Sequence, residues 1–174
     1  GMPGKLIFDG NNVNTNQPMI YIKTDSNRYC NIYFYPGVEY RNHNSNAAAT
    51  GRNAAILIEA RANVQMYSME MYNCYGGANN APFTYVNVHS GTYTLNVRDC
   101  NIRDCYGYNG GAMTIGQNVK ALFYGGTIQN NTALNNGGGV YVLDNADVHI
   151  YELNLLNNTS LNNGGGAYFE RLPN

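Results

Sequence analysis

Asn136-Gly137-Gly138-Gly139-Val140-Tyr141-Val142 returns at a spacing of 27 residues as Asn163-Gly164-Gly165-Gly166-Ala167-Tyr168-Phe169. One such spacing earlier stands Asn109-Gly110-Gly111-Ala112-Met113-Thr114-Ile115. A second block keeps step: Thr127-Ile128-Gln129-Asn130-Asn131-Thr132 becomes Asn154-Leu155-Leu156-Asn157-Asn158-Thr159. A fixed period of this size marks a stacked repeat, in which each unit buries its apolar side against its neighbours.

More diverged units align outward from these. Val148-x-Ile150-x-x-Leu153-x-Leu155 matches Ala121-x-Phe123-x-x-Gly126-x-Ile128, Leu95-x-Val97-x-x-Cys100-x-Ile102 and Val64-x-Met66-x-x-Met69-x-Met71, and more loosely Cys30-x-Ile32. A third apolar pair precedes each: Ile56/Ile58, Val86/Val88, Met113/Ile115 and Val140/Val142, with Ile20/Ile22 and Leu6-Ile7-Phe8-Asp9-Gly10 as candidates near the N-terminus. Period two places alternate side chains on one face and means strand. Helical repeats would need i, i+3, i+4 spacing and good helix formers, whereas Asn, Gly, Tyr and Thr dominate here. The expected fold is an all-β, right-handed parallel β-helix: a solenoid with three short strands per coil and about five to six coils of roughly 27 residues. It forms one domain over 1–174 with a long loop insertion at 41–53. The expected core includes Val64, Met66, Met69, Met71, Leu95, Val97, Phe123, Ile128, Ile150 and Leu155.

Composition limits the partners. Charged residues make up 12% of the 174, about half the usual share. Net charge is −1, with no Lys/Arg cluster, which argues against nucleic acid and anionic membrane surfaces. No apolar run approaches the roughly 20 residues of a membrane span, so no membrane insertion is expected. Gly1-Met2-Pro3-Gly4 reads as the vestige of a tag, so a missing signal peptide says nothing of a precursor. No cap is evident at Glu170-Arg171-Leu172-Pro173-Asn174, and a piece of a longer protein is one reading of the chain.

Ile128-x-x-Asn131 followed by Gly137-Gly138-Gly139-Val140, and Leu155-x-x-Asn158 followed by Gly164-Gly165-Gly166-Ala167, resemble the FxxN and GGA[ILV] repeats of polymorphic outer membrane proteins. More broadly they resemble the β-helix repeats of bacterial surface proteins and autotransporter passengers. The opening Leu6-Ile7-Phe8-Asp9-Gly10 is similar to the first coil of pectate-lyase-like β-helices. The chain departs from the pattern in having Ile or Leu for Phe, and Cys74 and Cys105 in two Asn slots. The resemblance implies an extracellular or bacterial cell-surface location. It does not imply one activity, because this scaffold carries lyases, hydrolases, esterases and adhesins.

Coil-to-coil stacking converts alignment into columns. Asn73, Asp104, Asn130 and Asn157 form one, and Cys74, Cys105, Asn131 and Asn158 the next. Amides repeated once per coil are read as structural, bonding along the axis and to turn backbone. Cys30 and Cys100 are expected inward and unpaired. Cys74 and Cys105 are expected about 5 Å apart, where a bridge is permitted and a buried thiol pair is preferred.

An outward column of Tyr33, Tyr67, Arg98, Tyr124 and Tyr151 is the candidate binding flank, and Tyr141 and Tyr168 form a second. Outward aromatics in a row offer faces to sugar rings, although such ladders also stabilise sheets without a ligand. His43 and the Asn amides of the 41–53 insertion are expected to add hydrogen bonds. The expected ligand set is therefore Tyr67, Arg98, Tyr124, Tyr151 and His43, and the expected partner is a glycan or a host or surface protein.

Arg98-Asp99-Cys100-Asn101-Ile102-Arg103-Asp104-Cys105 is the one string that looks like an active site. Lyases need acidic residues for Ca²⁺ and an Arg or Lys base, and hydrolases need two carboxylates about 5–10 Å apart. Arg98 and Asp99, with Glu70 one coil away, are the only catalytic candidates, and ordinary surface charge is the preferred reading. His43, His89 and His149 fall in different columns, so no metal is expected, and no cofactor motif is present. The preferred function is a non-catalytic binding or adhesin-like module. A polysaccharide lyase or glycoside hydrolase and a plain structural stalk are the alternatives.

Overall fold

The computed structural model describes residues 6–12, 14–15, 17–24, 28–45, 54–78, 80–87 and 91–171. Among these there is no helix, and every strand pairing is parallel. The described residues wind as a β-solenoid of about four turns, fewer than the five to six expected.

The first wall stacks Cys30–Phe34, Ala62–Tyr67, Tyr93–Arg98 and the leading halves of Val119–Gln129 and Asp147–Leu156. The second stacks Leu6–Asp9, Val38–Arg41, Glu70–Tyr72, Asn101–Arg103 and the trailing halves of the same two long strands. Together they are one nine-stranded sheet bent at a corner. The third wall runs Ile20–Lys23, Ile56–Glu59, Phe83–Val86, Met113–Ile115, Val140–Val142 and Ala167–Phe169.

A fourth, minimal ladder is not legible in the sequence. Tyr106–Gly107, Thr132–Ala133 and Thr159–Ser160 pair in succession, and Asn14–Thr15 pairs with Asn44–Ser45. Strands of two residues are too short to show alternation. Within the expected 41–53 insertion, Arg41 and Asn44–Ser45 lie in strands; residues 46–53 lie outside the described residues, as does His89.

Inward rows fill the core. Ala62, Val64 and Met66 are fully buried while Asn63, Gln65 and Tyr67 alternate outward, which is period two realised. Val64, Met66, Met69, Met71, Leu95, Val97, Phe123 and Ile128 are buried as expected. Leu155 is only partly buried, and Ile150 is 48% exposed. Both lie in the last described complete coil, where no further described coil covers their lower side. Two registers also differ. Ile32 and Phe34, not Cys30 and Ile32, stand over Val64 and Met66, and the pair stacked on Ile56/Ile58 is Phe83/Tyr85 instead of Val86/Val88.

Candidate functional site

The corners explain why repeated Asn and Gly build these walls. Asn42, Asn73, Asp104, Asn130 and Asn157 all adopt left-handed backbone, with φ between 50° and 55°. Asn and Asp tolerate this region better than other side-chain-bearing residues, so each coil turns at the same place. The next residue reaches inward. Asn131 is fully buried; its Nδ2 donates to Ile102 O (3.1 Å) and Asn158 Oδ1 (2.9 Å), and its Oδ1 accepts from Cys105 N (2.9 Å). Asn158 Nδ2 donates to Ile128 O at 2.8 Å. Cys74 occupies the same seat, with Sγ directed at Tyr40 O at 3.8 Å. Tyr40, Met71, Ile102 and Ile128 are stacked partners, so thiol and amide address one column of carbonyls.

Cys74, Cys100 and Cys105 are buried free thiols, and Cys30 is half-buried instead of buried because it lies in an outer coil. Burial pushes Cys100 up to about 11, and burial also raises Cys105 well above the ordinary thiol range. The hydrogen bond from Cys105 holds Cys74 below that range.

The glycine corner before the third wall is equally tight. Gly110, Gly137 and Gly164 have φ of 77°, 68° and 66°. A Cβ on Gly138 would stand 2.2 Å from Gly165 O, so adjacent coils approach too closely there for any side chain.

The outer face of the first wall carries three rows. The row nearest the corner contains the expected flank. Arg98 is the register partner of both Tyr67 and Tyr124, its guanidinium lies 4.1 Å from the Tyr124 ring centroid, and Tyr124 stacks on Tyr151 at 4.7 Å and 6°. Tyr35 extends the row, stacking on Tyr67 at 6.2 Å. Tyr33, expected in this column, sits two residues back, paired with Gln65. The aligned register slips by one at the end: Tyr124 has Glu152 as its backbone partner, yet the Tyr151 ring keeps the stack. The flank is open, with Tyr35 60% and Tyr151 64% exposed and Arg98 exposed between them.

The geometry of this ladder changes its chemistry. The Tyr124 and Tyr151 rings lie nearly parallel and close, with the Arg98 guanidinium over the Tyr124 ring, while Tyr35 and Tyr67 stack at a wider separation. What points to solvent is the ring edges, the hydroxyls and the guanidinium rim. Tyr67 Oη already donates to Gln65 Oε1 at 3.2 Å, linking this row to the next, which is Tyr33, Gln65, Asn96, Leu122 and His149. The third row is Asn31, Asn63, Thr94, Lys120 and Asp147, in which Asn63 Oδ1 accepts from Thr94 Oγ1 at 3.1 Å.

His43 does not join this surface: it is buried at 2% exposure, with its carbonyl accepting from Tyr75 N. The two weak catalytic candidates, Arg98 and Asp99, lie at the corner between the first and second walls. Asp99 is a left-handed corner residue (φ 51°), in the same column as Ser68 (φ 46°) and Gly125 (φ 77°), and its carboxylate lies over Gly125. Glu70 pairs in register with Glu39 and Asn101, so it does not face Asp99 across the coil.

One polar cluster is hidden from the sequence reading. Arg41 bonds Asp9 (2.8 Å), Glu39 (3.2 Å) and Tyr72 Oη (3.3 Å), Tyr72 Oη donates to the buried Glu39, and Arg103 lies 4.3 Å over the Tyr72 ring. Its members come from coils whose stacked residues, such as Arg41 and Tyr72, are spaced more widely than in the regular repeat, so the repeat period does not bring the column into line. These groups satisfy one another along the second wall. Among the described residues no group of three or more His, Cys, Asp or Glu is placed to hold a metal ion. No protein family model, curated protein or solved structure matches the chain significantly.

Proposed function

We propose that this β-solenoid is a non-catalytic binding module that receives a glycan along the outer face of its first wall. The observation that carries the reading is the open row Tyr35, Tyr67, Arg98, Tyr124 and Tyr151, continuous down the stacked coils. Tyrosine presents a rigid, amphipathic contact with little side-chain entropy to lose. Beside it lie amides and hydroxyls, and the charged groups among the described residues of the face are Arg98, Lys120, Asp147 and, at the slipped register, Glu152. A chain of uncharged polyol units lying parallel to the solenoid axis meets an equivalent group about every 4.8 Å.

Because Tyr124 is stacked between Arg98 and Tyr151, the contact is made mainly by edges and hydroxyls. Single contacts of about 1 kcal/mol give affinities in the high micromolar to millimolar range for a short oligosaccharide. Membership of the surface-protein repeat group, and an extracellular or cell-surface location, belong to the same proposal. They are supported by the FxxN-like and GGA-like strings alone.

The test is an array of neutral oligosaccharides, followed by Tyr124→Ala and Tyr151→Ala on any hit. Loss of binding in both, with the fold intact, is the expected result. Binding that survives both substitutions returns the column to a purely structural role.

A further inference from the structure

Two of the four cysteines stand one above the other. Tyr72 pairs with Arg103 in parallel register and Tyr75 pairs with Tyr106, so Cys74 and Cys105 occupy the same place in adjacent coils. We propose that Cys74 and Cys105 form a redox modification site, at which a peroxide converts the thiol pair reversibly to a disulfide without rearranging the solenoid.

The geometry is set in advance. Stacked residues of adjacent parallel strands lie about 4.8 Å apart, inside the roughly 4.4–6.8 Å between Cα atoms that a disulfide spans. Both main chains are already held: Tyr106 N donates to Cys74 O and Thr132 N donates to Cys105 O, each at 2.9 Å. Further along the same column the inward seat brings neighbouring side chains into contact, since Asn131 Nδ2 donates to Asn158 Oδ1 at 2.9 Å. The two thiols meet in the same way, hydrogen-bonded to each other. The remaining cysteines are internal controls. Cys30 stands on Ala62, and Cys100 lies between Met69 and Gly126, so neither stacks on a thiol.

The thiolate is the attacking form of cysteine. The hydrogen bond from Cys105 holds the Cys74 thiol below its ordinary range, while burial raises Cys105 well above it. Cys74 is therefore the attacking group and Cys105 the resolving one. Cys74 Sγ attacks one oxygen of hydrogen peroxide. An S–O bond forms, the O–O bond breaks, and the departing hydroxide takes up the thiol proton and leaves as water, giving a sulfenic acid. Cys105 Sγ then attacks Cys74 Sγ. The S–S bond forms, the S–O bond breaks, and the Cys105 proton leaves with that oxygen as a second water. Two thiols are oxidised and one peroxide is reduced to two waters. An added dithiol reverses the change by exchange.

Both thiols are buried, yet each directly follows an exposed corner residue, Asn73 and Asp104. Hydrogen peroxide is little larger than water, so a local opening of the corner admits it. The bridge ties adjacent coils together at the corner that follows the second wall. It restricts the unfolded chain and leaves the folded one as it is, so oxidation raises stability.

The test treats the folded, fully reduced chain with a small excess of hydrogen peroxide, then counts thiols in denaturant and maps the linked peptides. The count should fall from four to two, with Cys74 joined to Cys105 and no other pair, and dithiothreitol should restore four. The chain oxidised in denaturant should give a mixture of pairings instead. Cys30→Ser combined with Cys100→Ser should keep the link, and Cys105→Ser should prevent it. The guanidinium unfolding midpoint of the oxidised chain should rise by about half a molar and return on reduction. Three results overturn the proposal: four thiols persisting in the folded chain under peroxide that oxidises the denatured one, a link that involves Cys30 or Cys100, or a Cys74–Cys105 link that lowers the midpoint.

Discussion

The corner ladder of Cys74, Cys105, Asn131 and Asn158 and the flank ladder of Tyr35, Tyr67, Arg98, Tyr124 and Tyr151 both place one side chain per coil, and they reach opposite ends. In the corner Cys74, Cys105 and Asn131 are buried and Asn158 half-buried, and the Asn131 amide is bonded at both its nitrogen and its oxygen. On the flank Arg98, Tyr124 and Tyr151 stack on one another, and Tyr35, Arg98 and Tyr151 are open to solvent. Periodicity alone therefore does not separate a structural ladder from a binding one. Burial and hydrogen-bond satisfaction are where these two ladders differ.

If that distinction is right, the two ladders respond oppositely to substitution. Asn131→Ala leaves Cys105 N without its partner and takes the side-chain donor from Ile102 O in a dry corner, at a cost of roughly 1–3 kcal/mol in denaturant unfolding. Oligosaccharide affinity of the protein that remains folded stays unchanged. A loss below about 0.5 kcal/mol would break the comparison from the corner side.

Alkaline pH acts on the interior in the same sense. Cys100 ionises only near pH 11, and burial pushes Tyr40 up to about 12, whereas in the unfolded chain both release protons at their ordinary values. The folded pKa values are raised, so this stability is fully present below pH 9 and is lost as pH rises toward 11 and 12. Unfolding midpoints measured across that window should fall, and Cys100→Ala should flatten the earlier part of the decline. A flat profile in the wild type would contradict the burial of these groups.

The thiol half of the corner gives a smaller effect. Cys74→Asn places at this seat the amide that the coils of Asn131 and Asn158 use, and stability should change by no more than about 1 kcal/mol. Thiol titration in denaturant should find four free thiols, as the structure has them. Two would mean that Cys74 and Cys105 are bridged. The smallest stability effect belongs to the flank: Tyr124→Ala removes one stacked pair and should cost no more than about 1 kcal/mol, while weakening oligosaccharide binding measurably.

Legibility follows the constancy of the period. From Asn109 to Phe169 the coils keep a nearly constant step, and the inward rows, the Asn corner and the glycine corner all stand where the alignment puts them. Earlier, stacked partners lie further apart in sequence, as Ile20 and Ile56 do, because insertions enter the coils. A constant offset then slides along the strand, which displaces Cys30 and Tyr33 by two positions each; period two keeps the same face inward despite the slip. Alternation does not single out Phe83/Tyr85, because the next apolar residues, Val86 and Val88, alternate equally well. Ile150 shows a different limit. Alternation gives a side chain's direction, and burial needs a covering coil as well. His43 reads as a surface residue because it lies in the insertion, yet it follows the left-handed Asn42 and takes the inward place that Cys74 and Asn131 take in their coils.

The most direct test removes the hydroxyls and keeps the rings. Tyr67→Phe, Tyr124→Phe and Tyr151→Phe combined preserve the stack, so the unfolding midpoint should stay essentially that of the wild type. Titration with the oligosaccharide selected on the array should then show affinity reduced at least about tenfold, since each lost hydroxyl contact is worth about 0.5–1.5 kcal/mol. Undiminished affinity in a folded triple variant would contradict the account that this flank binds through its hydroxyl edges.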